Sequence, residues 1–179
     1  MRAFIALDVP EDVKQRAEAL EKNFEMDGIT LVKKDALHIT LQFLGELNAE
    51  QADRTVAAMK KVRFKPFRVS LSGLSYFTPR MIKVIFVEAA TGGRELIELY
   101  GKVSAELKAS GIGFDEEKYA PHLTIARVKW AKEMRRLREM LEKNARAELG
   151  SFEATSIALK ESTLTAAGPE YRTLYELKF

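Results

Sequence analysis

"HITL" at 38–41 and "HLTI" at 122–125 decide how this chain is read. They contain the only two histidines among 179 residues, and each histidine opens the same phrase of His, apolar, Thr, apolar. A β-strand turns successive side chains to opposite faces. His38 and Thr40 therefore share one face and Ile39 and Leu41 the other; His122 and Thr124 are set against Leu123 and Ile125 in the same way. The apolar pairs can be buried against a helix layer while imidazole and hydroxyl project into a common space.

Outward from these phrases the chain alternates strand-like and helix-like segments. "RAFIALDV" (2–9) reads as a strand. Pro10 suits a first helical turn, and Glu11 and Asp12 suit its positive end. Val13, Ala17, Leu20 and Phe24 then recur at helical spacing over 10–25. "ITLVK" (29–33) and "LHITLQFL" (37–44) read as strands. Asn48 with Gln51 forms a capping box ahead of a helix that should bury Ala52, Val56 and Met59. Two strands at 66–77 and 81–89 should meet at a turn at Thr78–Pro79. A helix over 94–109 should bury Leu96, Tyr100, Val103 and Leu107, with Gly111 as its stop. The second histidine phrase sits in a strand-like 118–129. A further helix over 130–148 should carry Trp130, Met134, Leu137, Leu141 and Ala145 on one stripe, its Lys and Arg residues forming a solvated face rather than an RNA surface. Strands at 152–162 and 171–179, separated by a Gly168–Pro169 turn, complete a count of about eight strands and four helices. Each histidine strand precedes a helix, which implies an internal duplication and two similar lobes.

Composition narrows the class. Hydrophobic residues make up 46% and charged residues 31%, as in a soluble globular protein. No linker rich in Pro, Gly or Ser divides the chain, so residues 1–179 are expected to form one domain. No apolar run reaches a membrane span, and the N-terminus lacks the pattern of a secretory signal. A cytoplasmic location is expected. The absence of cysteine excludes disulfides and thiol chemistry. The net charge of +3 permits an anionic ligand without requiring one.

Two imidazoles and two hydroxyls around one space suit a phosphodiester. Histidine titrates near neutrality, so one can act as base while its partner acts as acid. Threonine hydroxyls can hold non-bridging oxygens. Zinc would want a third protein ligand, and neither phrase embeds an Asp or Glu. No metal or other cofactor is expected. The pH profile should be a bell with its maximum at roughly pH 6 to 8, near the unperturbed His value.

The paired phrases resemble the hallmark of the 2H phosphoesterase superfamily. The surrounding "FIALDVP", "LHITLQFLGEL", "PHLTIARVK" and "LKESTLTAAGPEYRTLYELKF" are similar to its archaeal and bacterial RNA 2',3'-cyclic phosphodiesterase branch, also called 2'-5' RNA ligases. The resemblance implies an α+β, bilobal fold: two pseudo-symmetric antiparallel β-sheets lining a central cleft, with helices outside. It implies hydrolysis of RNA 2',3'-cyclic phosphate ends, tRNA fragments among them, to 2'-phosphomonoesters by a monomer. In this correspondence His38 is the proton donor and His122 the proton acceptor, while Thr40 and Thr124 hold the phosphate. Arg127 matches a nucleotide-contacting arginine, although strict alternation puts it on the face opposite His122. Phe4 matches an aromatic that could stack on the terminal base, and Tyr119 is a further candidate for substrate contact. Two alternatives stand beside hydrolysis. One is 2'-5' joining of a cyclic phosphate to a 5'-hydroxyl end; the other is a nucleotide- or RNA-binding module without turnover.

Overall fold

The computed structural model describes residues 1–77, 81–116, 118–166 and 168–179. Nine strands and four α-helices lie among them: β1 (Arg2–Asp8), α1 (Glu11–Glu21), β2 (Ile29–Leu31), β3 (His38–Glu46), α2 (Ala49–Met59), β4 (Phe67–Phe77), β5 (Val84–Thr91), α3 (Gly93–Ala109), β6 (His122–Val128), α4 (Met134–Lys143), β7 (Glu148–Ala154), β8 (Ser156–Thr165) and β9 (Gly168–Lys178). The expected turn at Thr78–Pro79 falls on residues outside those described.

The strands form two antiparallel halves, β3-β1-β8-β9 and β6-β5-β4-β7, with β2 added beside β6. The halves are not separate sheets. They join edge to edge through one register contact between β3 and β6, Ile39 opposite Leu123. The duplication implied by the sequence is visible in the order of elements, since β1-α1-β3-α2 is matched by β5-α3-β6-α4. The helices also cross over: α1 packs on β6 and β7, whereas α3 packs on β3 as well as β5. Each half therefore buries apolar surface supplied by the other.

Local chemistry sets the helix ends. The capping box forms in full, Asn48 Oδ1 accepting from the Gln51 N–H at 2.8 Å and Gln51 Oε1 from the Asn48 N–H at 2.9 Å. The buried stripe of α2 is rotated from expectation to Thr55, Ala58 and Met59, and Thr55 is satisfied by donating to the Gln51 carbonyl at 2.8 Å. Gly111, at φ 68°, ends α3: the Ile112 N–H reaches back to the Leu107 carbonyl, a left-handed stop that favours glycine. The last helix is shorter than its apolar stripe predicts. Lys129 and Trp130 are bonded to the Gly28 carbonyl, which holds the chain out of helix there, and β4 takes the Ala145 and Ala147 carbonyls at the other end. Trp130 covers Gly28 so closely that any Cβ at 28 would meet the Trp130 carbonyl. Three of the basic side chains before and in α4 pair with acids, Lys132 with Asp27, Arg135 with Glu139 and Arg136 with Glu133, as a solvated face would.

The strand expected over 152–162 is two strands, β7 and β8, broken at Thr155, whose carbonyl accepts from the Phe179 N–H. Gly168 and Pro169 are paired with Thr165 and Leu164 within the β8–β9 hairpin rather than forming its tip. No helix is long and apolar enough to cross a membrane among the described residues.

One buried group conflicts with this packing. Glu21, at the end of α1, is 4% exposed and its Oε1 has no hydrogen-bond partner among the described residues. Burial, with repulsion from Glu18, pushes its carboxyl up to about 8. A carboxyl raised on folding favours the folded state only while protonated. The penalty therefore grows as pH rises from the unfolded value near 4.5 towards 8, at about 1.4 kcal/mol per unit. Wild-type thermal stability should fall across that window by the equivalent of a few kcal/mol. Glu21→Leu should flatten the dependence, and equal slopes in the two proteins would contradict this account of Glu21.

Candidate active site

The single contact between the halves arranges the site. In antiparallel pairing, positions one step from Ile39–Leu123 line up crosswise, so His38 falls beside Thr124 and Thr40 beside His122. Ile39, Leu41, Leu123 and Ile125 are each at most 2% exposed, while all four polar side chains are half-buried on the opposite face. Two copies of one phrase thus make a single cluster of two imidazoles and two hydroxyls, related by a local twofold through the seam.

Each imidazole is oriented from behind by the carbonyl two residues earlier. Nδ1 of His38 donates to the Ala36 carbonyl at 2.8 Å, and Nδ1 of His122 to the Ala120 carbonyl at 2.6 Å. A carbonyl can only accept, so the proton of each neutral ring is held on Nδ1 and the Nε2 lone pair is left for chemistry. Nε2 of His38 meets Thr40 Oγ1 at 2.9 Å. The Thr124 hydroxyl has no partner among the described residues. The signal for this support was present in the sequence as Ala-x-His-apolar-Thr in both copies, "ALHIT" and "APHLT".

Aromatic rings wall the imidazoles. Phe4 and Tyr171 lie 4.8 and 5.3 Å from His38, and Phe86 and Phe77 lie 4.8 and 5.0 Å from His122, centroid to centroid. Burial pushes His38 down to about 4; Lys160 and Arg127 push in the same direction, against the Ala36 carbonyl and Asp8. Lys160 is only 12% exposed and pairs with Asp8 at 2.9 Å. His122 is lowered too, by burial first and then by Arg127, against the Ala120 carbonyl. In the free protein both shifts favour the neutral imidazoles.

Arg127 is on the cleft side, contrary to simple alternation, because β6 carries a bulge. Phe86 pairs with Thr124 and Ile85 with Ala126, so two residues of β6 oppose one step of β5. Ile125 and Ala126 both turn to the core, and Arg127 emerges exposed on the face of His122. Its charge acts on His38, His122 and Tyr171 alike.

Two expected substrate contacts are corrected. Phe4 is 3% exposed, with Tyr171 edge-on at 4.9 Å and the His38 ring beside it, so it lines the imidazole and offers no open face to a base. Tyr119 lies flat on Tyr100 of α3 at 4.5 Å with its hydroxyl buried, and burial pushes its ionisation up. It anchors the segment that presents the Ala120 carbonyl rather than reaching the substrate. The sequence reading missed Tyr171, Phe77, Phe86 and Lys160, which come from strands distant in sequence and carry no local motif.

A profile of the 2'-5' RNA ligase superfamily matches residues 9–163. The chain belongs to the 2'-5' RNA ligase superfamily. Among its relatives, the RNA 2',3'-cyclic phosphodiesterase of Methanocaldococcus jannaschii is 36% identical over 178 residues, covering 98% of this chain and 99% of that one. The RNA 2',3'-cyclic phosphodiesterase of Thermotoga maritima is 35% identical over 185 residues, covering 100% and 96%. A crystal structure of a Thermus thermophilus protein superimposes with a TM-score of 0.82 at 26% identity, covering 99% of this chain and 97% of that one. In this member of the superfamily, both histidine phrases lie within the matched span.

Proposed function

We propose that this protein hydrolyses RNA 2',3'-cyclic phosphate ends, the activity its relatives' names describe, that the product is a 2'-phosphomonoester, and that it needs no metal or organic cofactor. The observation that carries the reading is the crossed placement of His38 with Thr124 and Thr40 with His122 on one face of the seam. Because each half supplies one histidine, residues 1–179 act as one domain. A monomer in the cytoplasm, acting on ends such as those of tRNA fragments, completes the reading.

The cyclic phosphate sits over the four side chains, its non-bridging oxygens held by the Thr40 and Thr124 hydroxyls. Neutral His122 takes a proton from water through Nε2 as the oxygen attacks phosphorus. The bond from phosphorus to the 3' oxygen breaks on the opposite side, in line, and His38, which enters the reaction protonated on both nitrogens beside the anionic phosphate, gives its Nε2 proton to that oxygen. The products are a 2'-phosphomonoester and a 3'-hydroxyl. Arg127 offsets the charge of the phosphate from the end of the cluster.

Mapping the product of a defined RNA with a terminal cyclic phosphate tests this, with a 5'-hydroxyl strand included as a possible acceptor. A 2'-phosphate is expected. A 3'-phosphate would reverse the assignment of the leaving oxygen, and a joined 2'-5' product in place of hydrolysis would replace the reading. Turnover should survive extensive dialysis against EDTA unchanged, because proton transfer and charge stabilisation are supplied by side chains. Loss on dialysis, restored by a divalent ion, would require a metal mechanism instead.

A further inference from the structure

We propose that Lys160 is the positioning residue that breaks the twofold of the site: its ammonium, held against Asp8, singles out His38 as the proton donor. This rests on the reading of the protein as a hydrolase of cyclic phosphate ends. By backbone pairing the two halves are close to equivalent. Asp8 lies opposite His38 and Glu88 opposite His122, while Ala6 and Phe86 lie opposite the two threonines. Each histidine strand then carries the same bulge. Ile5 is opposite Gln42 and Ile85 opposite Ala126, with Leu41 and Gln42 both turned inward. The strands beyond differ. Phe4 is opposite Lys160 of β8, whereas its counterpart Val84 is opposite Phe77 of β4. The half of His38 thus has an ammonium where that of His122 has an aromatic ring.

Lys160 is held in place. It pairs with Asp8 at 2.9 Å and donates to Thr173 Oγ1 of β9 at 3.4 Å. Ala6 and Ala158, paired with each other between Lys160 and Asp8, are buried and small enough to leave its stem a path along the cleft floor. Water screens a free surface lysine, but not one fixed beside a buried imidazole. The Lys160 charge opposes a proton on His38, and that of Asp8 favours one. The other groups around His38 are Tyr171 of β9, Arg127 and His122 across the seam, and Lys34 before β3, which Glu11 takes. Arg127 acts on both imidazoles and so does not distinguish them. Neither Lys160 nor Asp8 shifts His122, and the exposed Glu88 does not shift it either. An imidazolium beside a fixed cation gives up its proton more readily, which suits a ring that must protonate an alkoxide. His122, without such a cation, is the better base.

The chain has only two histidines, so proton NMR titration of the ligand-free protein reads each ring separately, with His122→Ala assigning the signals. Lys160→Met, which keeps the stem, should move the His38 midpoint to higher pH by about one unit and leave that of His122 in place. Lys160→Arg, which keeps the charge, should titrate as wild type, and Asp8→Asn should move His38 the other way. In turnover of a 2',3'-cyclic mononucleotide, Lys160→Met should shift one limb of the kcat/KM profile towards alkaline pH. Its KM should change less than about 2-fold, since the ammonium is committed to Asp8 rather than to phosphate. An unmoved His38 midpoint in Lys160→Met, or equal movement of both histidines, overturns the proposal. An unmoved midpoint with KM raised about 10-fold or more would make Lys160 a ligand of the phosphate instead. The titration is read without substrate, so it tests Lys160 even if hydrolysis of cyclic ends proves not to be the reaction.

Discussion

His38→Ala and His122→Ala should each lower kcat by about 10²- to 10⁴-fold, because each removes one of two separate proton transfers. The double variant should lie far above the product of the singles, since acid and base serve one transition state. Thermal unfolding checks that the loss is chemical, because His38 packs against Phe4 and Tyr171 and its removal leaves space there. The two roles can also be separated. A substrate in which sulfur replaces the 3' oxygen expels a leaving group that needs no proton. It should restore turnover to His38→Ala and leave His122→Ala inactive. Rescue of His122→Ala instead would exchange the acid and the base, and near-wild-type kcat in either single variant would end the two-histidine mechanism.

The four side chains at the centre were legible because strand alternation is a local property: His and Thr two residues apart must share a face. What lies one turn of pairing further out was not. The residue added by a bulge looks like any other until its partner strand is known, and so counting put Arg127 on the face opposite His122. A trace existed in "LQ" at 41–42 and "IA" at 125–126, pairs that both turn inward, but neither breaks an apolar pattern visibly. The two lobes followed from the repeated order of strand and helix. Their fusion into one sheet hangs on a single pair, Ile39 with Leu123, which no sequence periodicity encodes. Phe4 shows the limit of a matched position: the aromatic is there, but Tyr171 from β9 and His38 take its surface.

The pH profile of kcat/KM should peak on the acid side of the ordinary histidine range, not near neutrality as two unperturbed imidazoles would give. That profile reports the free protein, in which burial and the Arg127 charge lower both rings, His38 to about 4. Activity needs His122 neutral, so the rate climbs as pH rises through the first constant of the pair. It also needs His38 protonated, so the rate falls as pH rises through the second. The limbs belong to the coupled pair rather than to either ring alone. Binding the anionic phosphate adds negative charge beside both imidazoles and favours their protonated forms. The kcat profile, which reports the complex, should therefore lie to higher pH than the kcat/KM profile. Arg127→Ala removes a positive charge that depresses both rings, and should move both limbs of kcat/KM towards alkaline pH while raising KM. Coincident kcat and kcat/KM profiles would mean that the phosphate does not sit between the imidazoles. A rate that climbs to a plateau with no alkaline limb would show that no protonated histidine takes part.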